Sequence, residues 1–313
     1  MADLKESWAR SAHTVRATCP LVFACDEGYG MPLATTLRSI VETNADSWPL
    51  EFHVLSDGIS EGMRTKIINS LPVGSASMHW ATVELGLFSK FSTLPHISKI
   101  TYARLLIPRF LPDTVAKVLY LDADLLVLRS LDPLWEMDLE GAIVGAVSDA
   151  FWGPVLKRGG PECKNMPRVR DYFNAGVLLI DLNRWRENRV SEKALEYLAQ
   201  HPQSPFSDQD ALNVACNDLW KALDPRWNYQ NHRDYRIADV RPDQRPWIVH
   251  FVRTTKPWIA SARSYNAPFY DAFRSRTRFA RTRVEKLMDL FRSNWAGLKN
   301  VWRRRGFLRT WTV

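Results

Sequence analysis

Two aspartates interrupt an otherwise apolar run near the middle of the chain. Asp122 and Asp124 are separated by one residue, Ala123, in the segment 118–128. Burying two carboxylates is costly unless they are paired or bind a cation. Oxygens from alternate positions can hold one hard divalent cation and leave coordination sites open for phosphate. The pair therefore indicates a metal site, and the alternative is a strand end where both acids reach solvent or cap a turn.

A histidine and a lysine accompany a second apolar segment, 247–252. His250 lies inside this predicted strand, and Lys256 follows its end. If His250 joined the two aspartates, an imidazole in the ligand set would favour Mn²⁺ over Mg²⁺. Lys256 could then contact phosphate oxygens. The alternatives are a hydrogen-bonded core histidine and a solvated lysine.

Asp26 ends the first predicted strand and is followed by the glycine pair Gly28 and Gly30. In doubly wound sheets ligands bind outside the carboxyl ends of the strands, so Asp26 could accept from a nucleobase or a ribose hydroxyl. The third glycine of a dinucleotide fingerprint would fall at position 33, which is Leu33. This counts against NAD(P) binding, and the glycines can otherwise form a turn.

A second acidic pair opens a predicted helix. Asp208 and Asp210 flank Gln209 and follow Ser207. Ser207 is a suitable N-cap, and acids in a first turn complement the helix dipole. Capping alone could therefore explain this cluster, and a functional role is the alternative.

The elements that would position these residues alternate between strand and helix. The predicted strands are 20–25, 51–56, 77–84, 118–128, 142–149, 174–181 and 247–252, and the predicted helices are 31–45, 60–71, 101–111, 191–200 and 207–216. The alternation of strand and helix from residue 20 to residue 84 indicates an α/β fold with a parallel, doubly wound sheet. Asn174 to Gly176 enter a strand, and the glycine would let a ligand approach the backbone closely.

Composition excludes several classes of protein. The chain has 313 residues, of which 46% are hydrophobic and 24% are charged, as in ordinary globular proteins. Its four cysteines have no C-x-x-C spacing, which argues against a disulfide scaffold or a structural zinc site of that type and suggests reduced thiols in a cytosolic protein. No apolar run of membrane-spanning length or signal-peptide core is found in the sequence.

The net charge of +8 is concentrated at the C-terminus. Residues 271–313 carry twelve of the 42 Lys and Arg residues and three of the 34 Asp and Glu residues, so the remainder is nearly neutral and no nucleic-acid partner is indicated. Phe291, Trp295, Leu298 and Trp302 share one face of a predicted helix. A basic amphipathic helix with aromatics favours an anchor at an anionic membrane surface. The alternative is a helix packed on the core.

Seven segments, taken together and in order, resemble the family 8 glycosyltransferases, and in particular the bacterial lipooligosaccharide and lipopolysaccharide α-galactosyltransferases and α-glucosyltransferases. They are VFACDEGY (22–29), FHVLSDGISE (52–61), HISKITYARLLIP (96–108), KVLYLDADLLVL (117–128), FNAGVLLIDLNRWR (173–186), DQDALN (208–213) and HFVRTTKPW (250–258). The resemblance implies a GT-A fold, which is a Rossmann-like nucleotide-diphospho-sugar transferase fold. It also implies retaining transfer of galactose or glucose from a UDP-sugar to a saccharide or glycolipid acceptor, with Mn²⁺ as cofactor and Mg²⁺ as a second possibility.

The resemblance also implies a role for each matched residue. The metal ligands would be Asp122, Asp124 and His250. The donor-binding residues would be Ala24, Asp26, Arg104, Asn174, Lys256 and His96, the reaction-centre residues Asp208 and Gln209, and the acceptor-binding residue Asp149. Because Gln209 is a poor nucleophile, we expect front-face attack, with the leaving phosphate taking the acceptor proton.

The resemblance covers a GT-A catalytic domain (20–260) that follows an N-terminal extension (1–19), and the charge pattern adds a basic membrane-association tail (261–313). The tail, together with a lipid-bearing acceptor, favours a cytoplasmic enzyme attached peripherally to the inner face of the cytoplasmic membrane. Two positions depart from the family pattern: Arg253 replaces a glycine and Gly28 replaces an asparagine. The alternative function is a catalytically silent UDP-sugar-binding or membrane-scaffolding relative.

Overall fold

The structure, a computed structural model, describes residues 18–45, 49–93, 98–151, 167, 169–230, 236–252, 254, 256–259 and 264–288. Four of the features named above lie wholly or mostly outside these residues: the N-terminal extension (as far as residue 17), His96, Arg253 and the aromatic helix face predicted between 291 and 302.

Strands and helices alternate along the chain, as predicted for an α/β fold. The strands are β1 Cys19–Asp26, β2 Leu50–Asp57, β3 Ser77–Thr82, β4 Lys117–Leu121, β5 Leu125–Val127, β6 Val144–Ser148, β7 Phe173–Asp181, β8 Trp220–Ala222, β9 Tyr229–Gln230 and β10 Ile248–His250. The α-helices are α1 Gly30–Thr43, α2 Glu61–Ile68, α3 Ile107–Phe110, α4 Asp132–Trp135, α5 Leu182–Glu187, α6 Val190–Gln200, α7 Asp208–Ala215 and α8 Ala267–Arg274.

The larger sheet has seven strands in the order β3-β2-β1-β4-β7-β6-β8. The first four strands are mutually parallel, whereas β7 runs antiparallel to both β4 and β6. The parallel sheet predicted from residues 20–84 is confirmed for β1, β2 and β3, and the antiparallel β7 makes the whole sheet mixed. Because β7 runs in the opposite direction, its first residues lie beside the carboxyl end of β4.

Both faces of this sheet are buried, since alternate residues of β1 enter two different apolar clusters. Val22 and Ala24 pack into the cluster that contains α6 and α7. Leu21 and Phe23 pack into the cluster that contains α1. This two-sided burial explains why β1 is a nearly continuous apolar run.

The apolar run 118–128, predicted as one strand, forms two strands in different sheets. β4 ends at Leu121 in the large sheet, and β5 begins at Leu125 in a three-stranded sheet of order β5-β10-β9. Asp122-Ala123-Asp124 is the link between the two sheets. The two carboxylates thus lie at a strand end, where a ligand can reach them.

Buried hydroxyls of α1 hold this link in place. Thr36 Oγ1 lies 2.9 Å from the carbonyl oxygen of Ala123 and accepts a hydrogen bond from the Leu125 N–H. Ser39 Oγ accepts from the Val127 N–H at 3.0 Å. Polar residues on the core face of α1 therefore satisfy backbone groups that the break between β4 and β5 leaves without strand partners.

Two local predictions are corrected. The segment predicted as a helix over 101–111 is a 3₁₀ helix over Lys99–Leu106 followed by α3, where Pro108 lies in the first turn. Proline is tolerated there because a first-turn N–H has no intrahelical acceptor. Ser207 precedes α7 but does not cap it, since its hydroxyl donates to the Ser92 carbonyl and its backbone has φ 54°.

The described part of the C-terminal segment packs on the α1 side of the molecule. Tyr270 of α8 is fully buried, and Phe279 joins the apolar cluster that contains α1. The Arg278 N–H donates to Ser70 Oγ at 3.0 Å. Among the described residues, no helix is both long and apolar enough to cross a membrane.

Candidate metal centre

Three potential ligands converge at the link between the two sheets. One ligand atom from each of Asp122, Asp124 and His250 lies within 4.8 Å of the others. His250 Nε2 is 3.6 Å from Asp122 Oδ2 and 3.3 Å from Asp124 Oδ1. His250 is therefore close enough to both aspartates to share a cation with them.

Strand pairing brings these residues together across 126 positions of sequence. β10 runs antiparallel to β5 with His250 opposite Leu125, and the Phe251 N–H donates to the Asp124 carbonyl at 3.1 Å. On the other side, the Asp122 N–H donates to the Gly176 carbonyl at 2.8 Å. The two carboxylates are thus fixed between the first residues of β7 and the end of β10.

The space that a side chain at Gly176 would fill is occupied by the metal-site residues, so only glycine fits at this position. A Cβ atom at this position would lie 2.2 Å from His250 Cε1 and 2.9 Å from Asp122 Oδ2. The sequence predicted that this glycine lets a bound molecule approach the backbone. The groups that approach it are instead the side chains of His250 and Asp122.

A chain of amides fixes which nitrogen of His250 carries its proton. The Gly176 N–H donates to Asn174 Oδ1 at 3.0 Å, so that atom must be the oxygen, and Asn228 Nδ2 donates to it at 2.8 Å. Asn228 Oδ1 then faces His250 Nδ1 at 3.0 Å and must accept its proton. The lone pair of Nε2 is left pointing at the carboxylates, which is the arrangement of a metal-binding histidine. The residues present therefore fit a divalent cation.

Lys256 supplies a counter-charge to the same cluster. Its Nζ lies 2.5 Å from Asp124 Oδ2 and donates to the Phe251 carbonyl at 2.6 Å. Burial opposes ionisation of Asp124, but the charge of the Lys256 ammonium and the hydrogen bond that it donates favour the carboxylate, and the pKa of Asp124 lies well below its usual range. Asp124 is therefore a carboxylate at any physiological pH.

Arg104 bridges the metal cluster to the start of α7. Its guanidinium contacts Asp122 Oδ1 and Asp208 Oδ2, each at 2.9 Å, and donates to the Ala175 carbonyl at 2.6 Å. Burial opposes the charge of Arg104, but Asp122 and Asp208 outweigh it and raise its pKa. Burial also raises the pKa of Asp208, against the effect of Arg104.

A second polar group adjoins the first residues of β7. Asp149 Oδ2 accepts from both Asn174 Nδ2 and Gln209 Nε2 at 3.1 Å. Gln209 Oε1 accepts from the Ala175 N–H at 3.0 Å, which fixes the orientation of its amide. The residues assigned to the reaction centre and to the acceptor are therefore in direct contact.

Asp26 and Ala24 lie on the neighbouring strand β1, with Asp26 at its carboxyl end. Asp26 Oδ1 caps the following turn by accepting from the Tyr29 N–H at 3.1 Å. The Tyr29 ring packs edge-on against Trp258, just beyond Lys256. Burial and the charge of Asp124 raise the pKa of Tyr29 above its usual value. The end of β1 thus faces the metal cluster.

Sequence reasoning missed Thr36, Tyr120 and Asn228. The Tyr120 hydroxyl donates to Asp122 Oδ1 at 2.8 Å, beneath Arg104. Tyr120 precedes Asp122 by two positions in an alternating strand, and that spacing could have identified it. Thr36 and Asn228 are buried polar residues far from their partners in sequence, so the sequence carried no comparable signal.

Similarity to known proteins agrees with this geometry. Residues 20–262 match the family model of glycosyl transferase family 8. The chain is 27% identical to general stress protein A of Bacillus subtilis, over 81% of this chain and 91% of that protein. It is 23% identical to a lipopolysaccharide 1,2-glucosyltransferase of Escherichia coli, over 76% and 72% of the respective chains.

Among solved structures, the galactosyltransferase LgtC in complex with donor and acceptor sugar analogues superposes with a TM-score of 0.71 and 30% identity, covering 82% of this chain and 96% of LgtC. The GT-A fold expected from the sequence is therefore confirmed. With the matched region spanning most of its length, the chain belongs to glycosyl transferase family 8.

Proposed function

We propose that this glycosyltransferase moves a hexose, galactose or glucose, from a UDP-sugar to a saccharide or glycolipid acceptor with retention of configuration. The observation that carries the proposal is the convergence of Asp122, Asp124 and His250 beside Lys256. Two carboxylates and one imidazole suit Mn²⁺, with Mg²⁺ as the weaker alternative. A cation bound there would neutralise negative charge on the diphosphate as UDP leaves.

The chain's own residues would bind and orient the donor around that cation. Lys256 lies where its ammonium can move from Asp124 to a phosphate oxygen, because a bound cation would replace it as the counter-charge. Arg104 is held by two carboxylates and a carbonyl, so its main contribution is to fix Asp122 and Asp208. Asp26 and Ala24, at the end of β1, would contact the base, as the family resemblance implies.

The hydrogen bonds at the reaction centre support front-face attack as the route to the retention that the family resemblance implies. Gln209 Oε1 is engaged by the Ala175 N–H, and the Asp208 carboxylate is engaged by Arg104 and Thr101. Neither is positioned as a free nucleophile, which favours front-face attack of the acceptor with the leaving phosphate as base. Asp149 and Asn174, in contact with each other, would orient the acceptor and the donor sugar.

The test of the proposal is a panel of UDP-sugars assayed for hydrolysis and transfer with Mn²⁺, with Mg²⁺ and with EDTA. We expect UDP release from UDP-galactose or UDP-glucose that EDTA abolishes, and its loss in Asp124→Asn. Asp243→Asn, an exposed carboxylate outside the site, is the matched control. If purified protein binds UDP-sugars but releases no UDP with any metal, the silent-relative alternative replaces this proposal.

The stereochemistry has a separate test. We expect NMR of the product to give the anomeric configuration of the donor, and mass spectrometry of the enzyme with donor to detect no sugar adduct. An adduct on Asp208 or Gln209 would instead establish a covalent intermediate. An inverted product would exclude retention.

Similarity to a known enzyme supports a glycolipid acceptor, and the charge and exposed apolar residues of the tail support a location at the membrane. One relative is named a lipopolysaccharide glucosyltransferase, which supports a lipooligosaccharide or lipopolysaccharide core acceptor. Val284, Leu287 and Met288 are more than half exposed on a short helix within the basic tail, over 283–288. They support docking of the tail on an anionic membrane from the cytoplasmic side.

The membrane assignment is tested by truncation after residue 280, which keeps the buried Phe279 and its contacts. We expect the truncated protein to lose sedimentation with anionic liposomes and to retain UDP-sugar hydrolysis. Unchanged liposome binding would refute the membrane role of the tail and leave the catalytic assignment standing.

A further inference from the structure

A second group of metal-ligating side chains lies away from the candidate metal centre, on the face of β2 and β3. Glu51 Oε1 is 3.1 Å from His53 Nε2 and 3.3 Å from His79 Nε2. The three ligand atoms lie within 4.8 Å of one another. The group occupies the first half of β2, whereas the candidate centre lies at the carboxyl ends of the strands.

Strand geometry places the three side chains on one face. Glu51 and His53 are two residues apart on β2, and His53 is the direct partner of His79 on the parallel strand β3. Phe52, between them, points to the opposite face, where it packs on Phe23. The two imidazole rings stack with centroids 4.8 Å apart. The sheet backbone thus brings the three side chains together, and the nearly parallel rings would have to tilt for both Nε2 lone pairs to point at one ion.

Two of the three distances between ligand atoms are close to those of a tetrahedral zinc site. With metal–ligand bonds of about 2.0–2.1 Å, neighbouring ligand atoms of tetrahedral Zn²⁺ are about 3.3–3.4 Å apart. The two distances from Glu51 are close to this value. Two imidazoles with one carboxylate favour Zn²⁺ over Mg²⁺ or Mn²⁺, so the chemistry also differs from that of the candidate metal centre.

The site is accessible and independent of the reaction. The side chains of Glu51 and His53 are 25% and 16% exposed, and that of His79 is 53% exposed, so an ion can enter from solvent. We propose that Glu51, His53 and His79 form a zinc site, completed by a solvent ligand, that fastens β3 to β2. β3 is the terminal strand of the seven-stranded sheet, and a metal clamp would stabilise its pairing.

Direct binding tests this inference on the full-length protein at about pH 7.5, where an imidazole of ordinary pKa is neutral. Zn²⁺ bound after dialysis against a chelator-buffered solution is counted by elemental mass spectrometry. His79→Ala should lose one equivalent relative to the wild type, and Glu51→Gln should bind that equivalent at least about tenfold more weakly. His201→Ala, a partly exposed histidine on another element, is the matched control and should lose none.

A spectroscopic arm separates this site from the catalytic one. Co²⁺ in a tetrahedral site absorbs strongly in the visible, and this band should disappear in His79→Ala but persist in Asp124→Asn. His79→Ala should keep its UDP-sugar activity with Mn²⁺, so failure here leaves the proposed function untouched. Equal Zn²⁺ stoichiometry and affinity in the wild type, His79→Ala and Glu51→Gln would overturn the site and leave a hydrogen-bonded Glu–His–His group.

Discussion

Replacing Asn228 should weaken metal binding although Asn228 is not a ligand. Asn228 is 1% exposed and accepts the Nδ1 proton of His250 while donating to Asn174. In Asn228→Leu, a change of similar volume, His250 loses the acceptor that keeps its proton on Nδ1. The tautomer with the proton on Nε2 then becomes accessible, and it has no lone pair directed at the cation.

The expected magnitude follows from the role of the lost hydrogen bond. Loss of an outer partner of a metal-binding histidine typically costs about 10–100-fold in metal affinity, which is about 1.4–2.7 kcal/mol. A neutral hydrogen bond that only held the fold would change stability by about 0.5–1.5 kcal/mol and leave metal affinity nearly unchanged. A role in orienting the His250 proton therefore predicts a change in metal affinity, whereas a purely structural role predicts a change in the free energy of unfolding.

The assay is equilibrium Mn²⁺ binding, followed by the electron paramagnetic resonance signal of the free ion. Gln230→Leu is the matched control, because Gln230 is a buried amide two residues away whose hydrogen bonds go to Ala150 and Ser148 instead of His250. We expect Asn228→Leu alone to lose affinity. Wild-type affinity in a folded Asn228→Leu protein, or an equal loss in both variants, would refute the proton-orienting role.

Three further predictions follow from the site. Gly176→Ala should abolish Mn²⁺ binding because its Cβ would overlap the His250 ring; calorimetric titration measures this, and retained affinity would contradict it. Arg104→Met should lower the free energy of unfolding by about 3–5 kcal/mol in urea, because the buried Asp208 carboxylate and the partly buried Asp122 carboxylate lose their partner; a loss under 1 kcal/mol, the range of exposed pairs, would contradict this. Thr36→Val should cost about 1–3 kcal/mol by the same measurement, since the Leu125 N–H is left unpaired.

Much of the site was foreseeable because its residues stand out against apolar surroundings. Asp122 and Asp124 are charged residues within a predicted strand, and the cost of burying them indicated a shared cation, to which the family resemblance added His250 as a ligand. The family resemblance then assigned roles to Lys256 and Gln209. The elements themselves were also mostly foreseeable, because apolar spacing in strands and helices is a local property.

The direction of β7 and the pairing of β4 and β5 could not be predicted from the sequence in the same way. The sequence of β7 is equally compatible with parallel and antiparallel placement, since both faces are buried. Its antiparallel run brings Asn174 and Gly176, rather than Asp181, to the end of β4. The division of 118–128 into β4 and β5 likewise depends on partners distant in sequence, namely Thr36 and the strand that contains His250.

The sequence by itself determined the alternation of elements, the family and the identity of the candidate ligands, because these depend on residue type and local spacing. Only the tertiary structure decided that Arg104 is held between Asp122 and Asp208, and that Asn228 orients His250. The same is true of the meeting of Glu51 and His79. Hydrogen bonds and ion pairs act over about 3 Å, and which side chains come that close depends on strand order, register and direction.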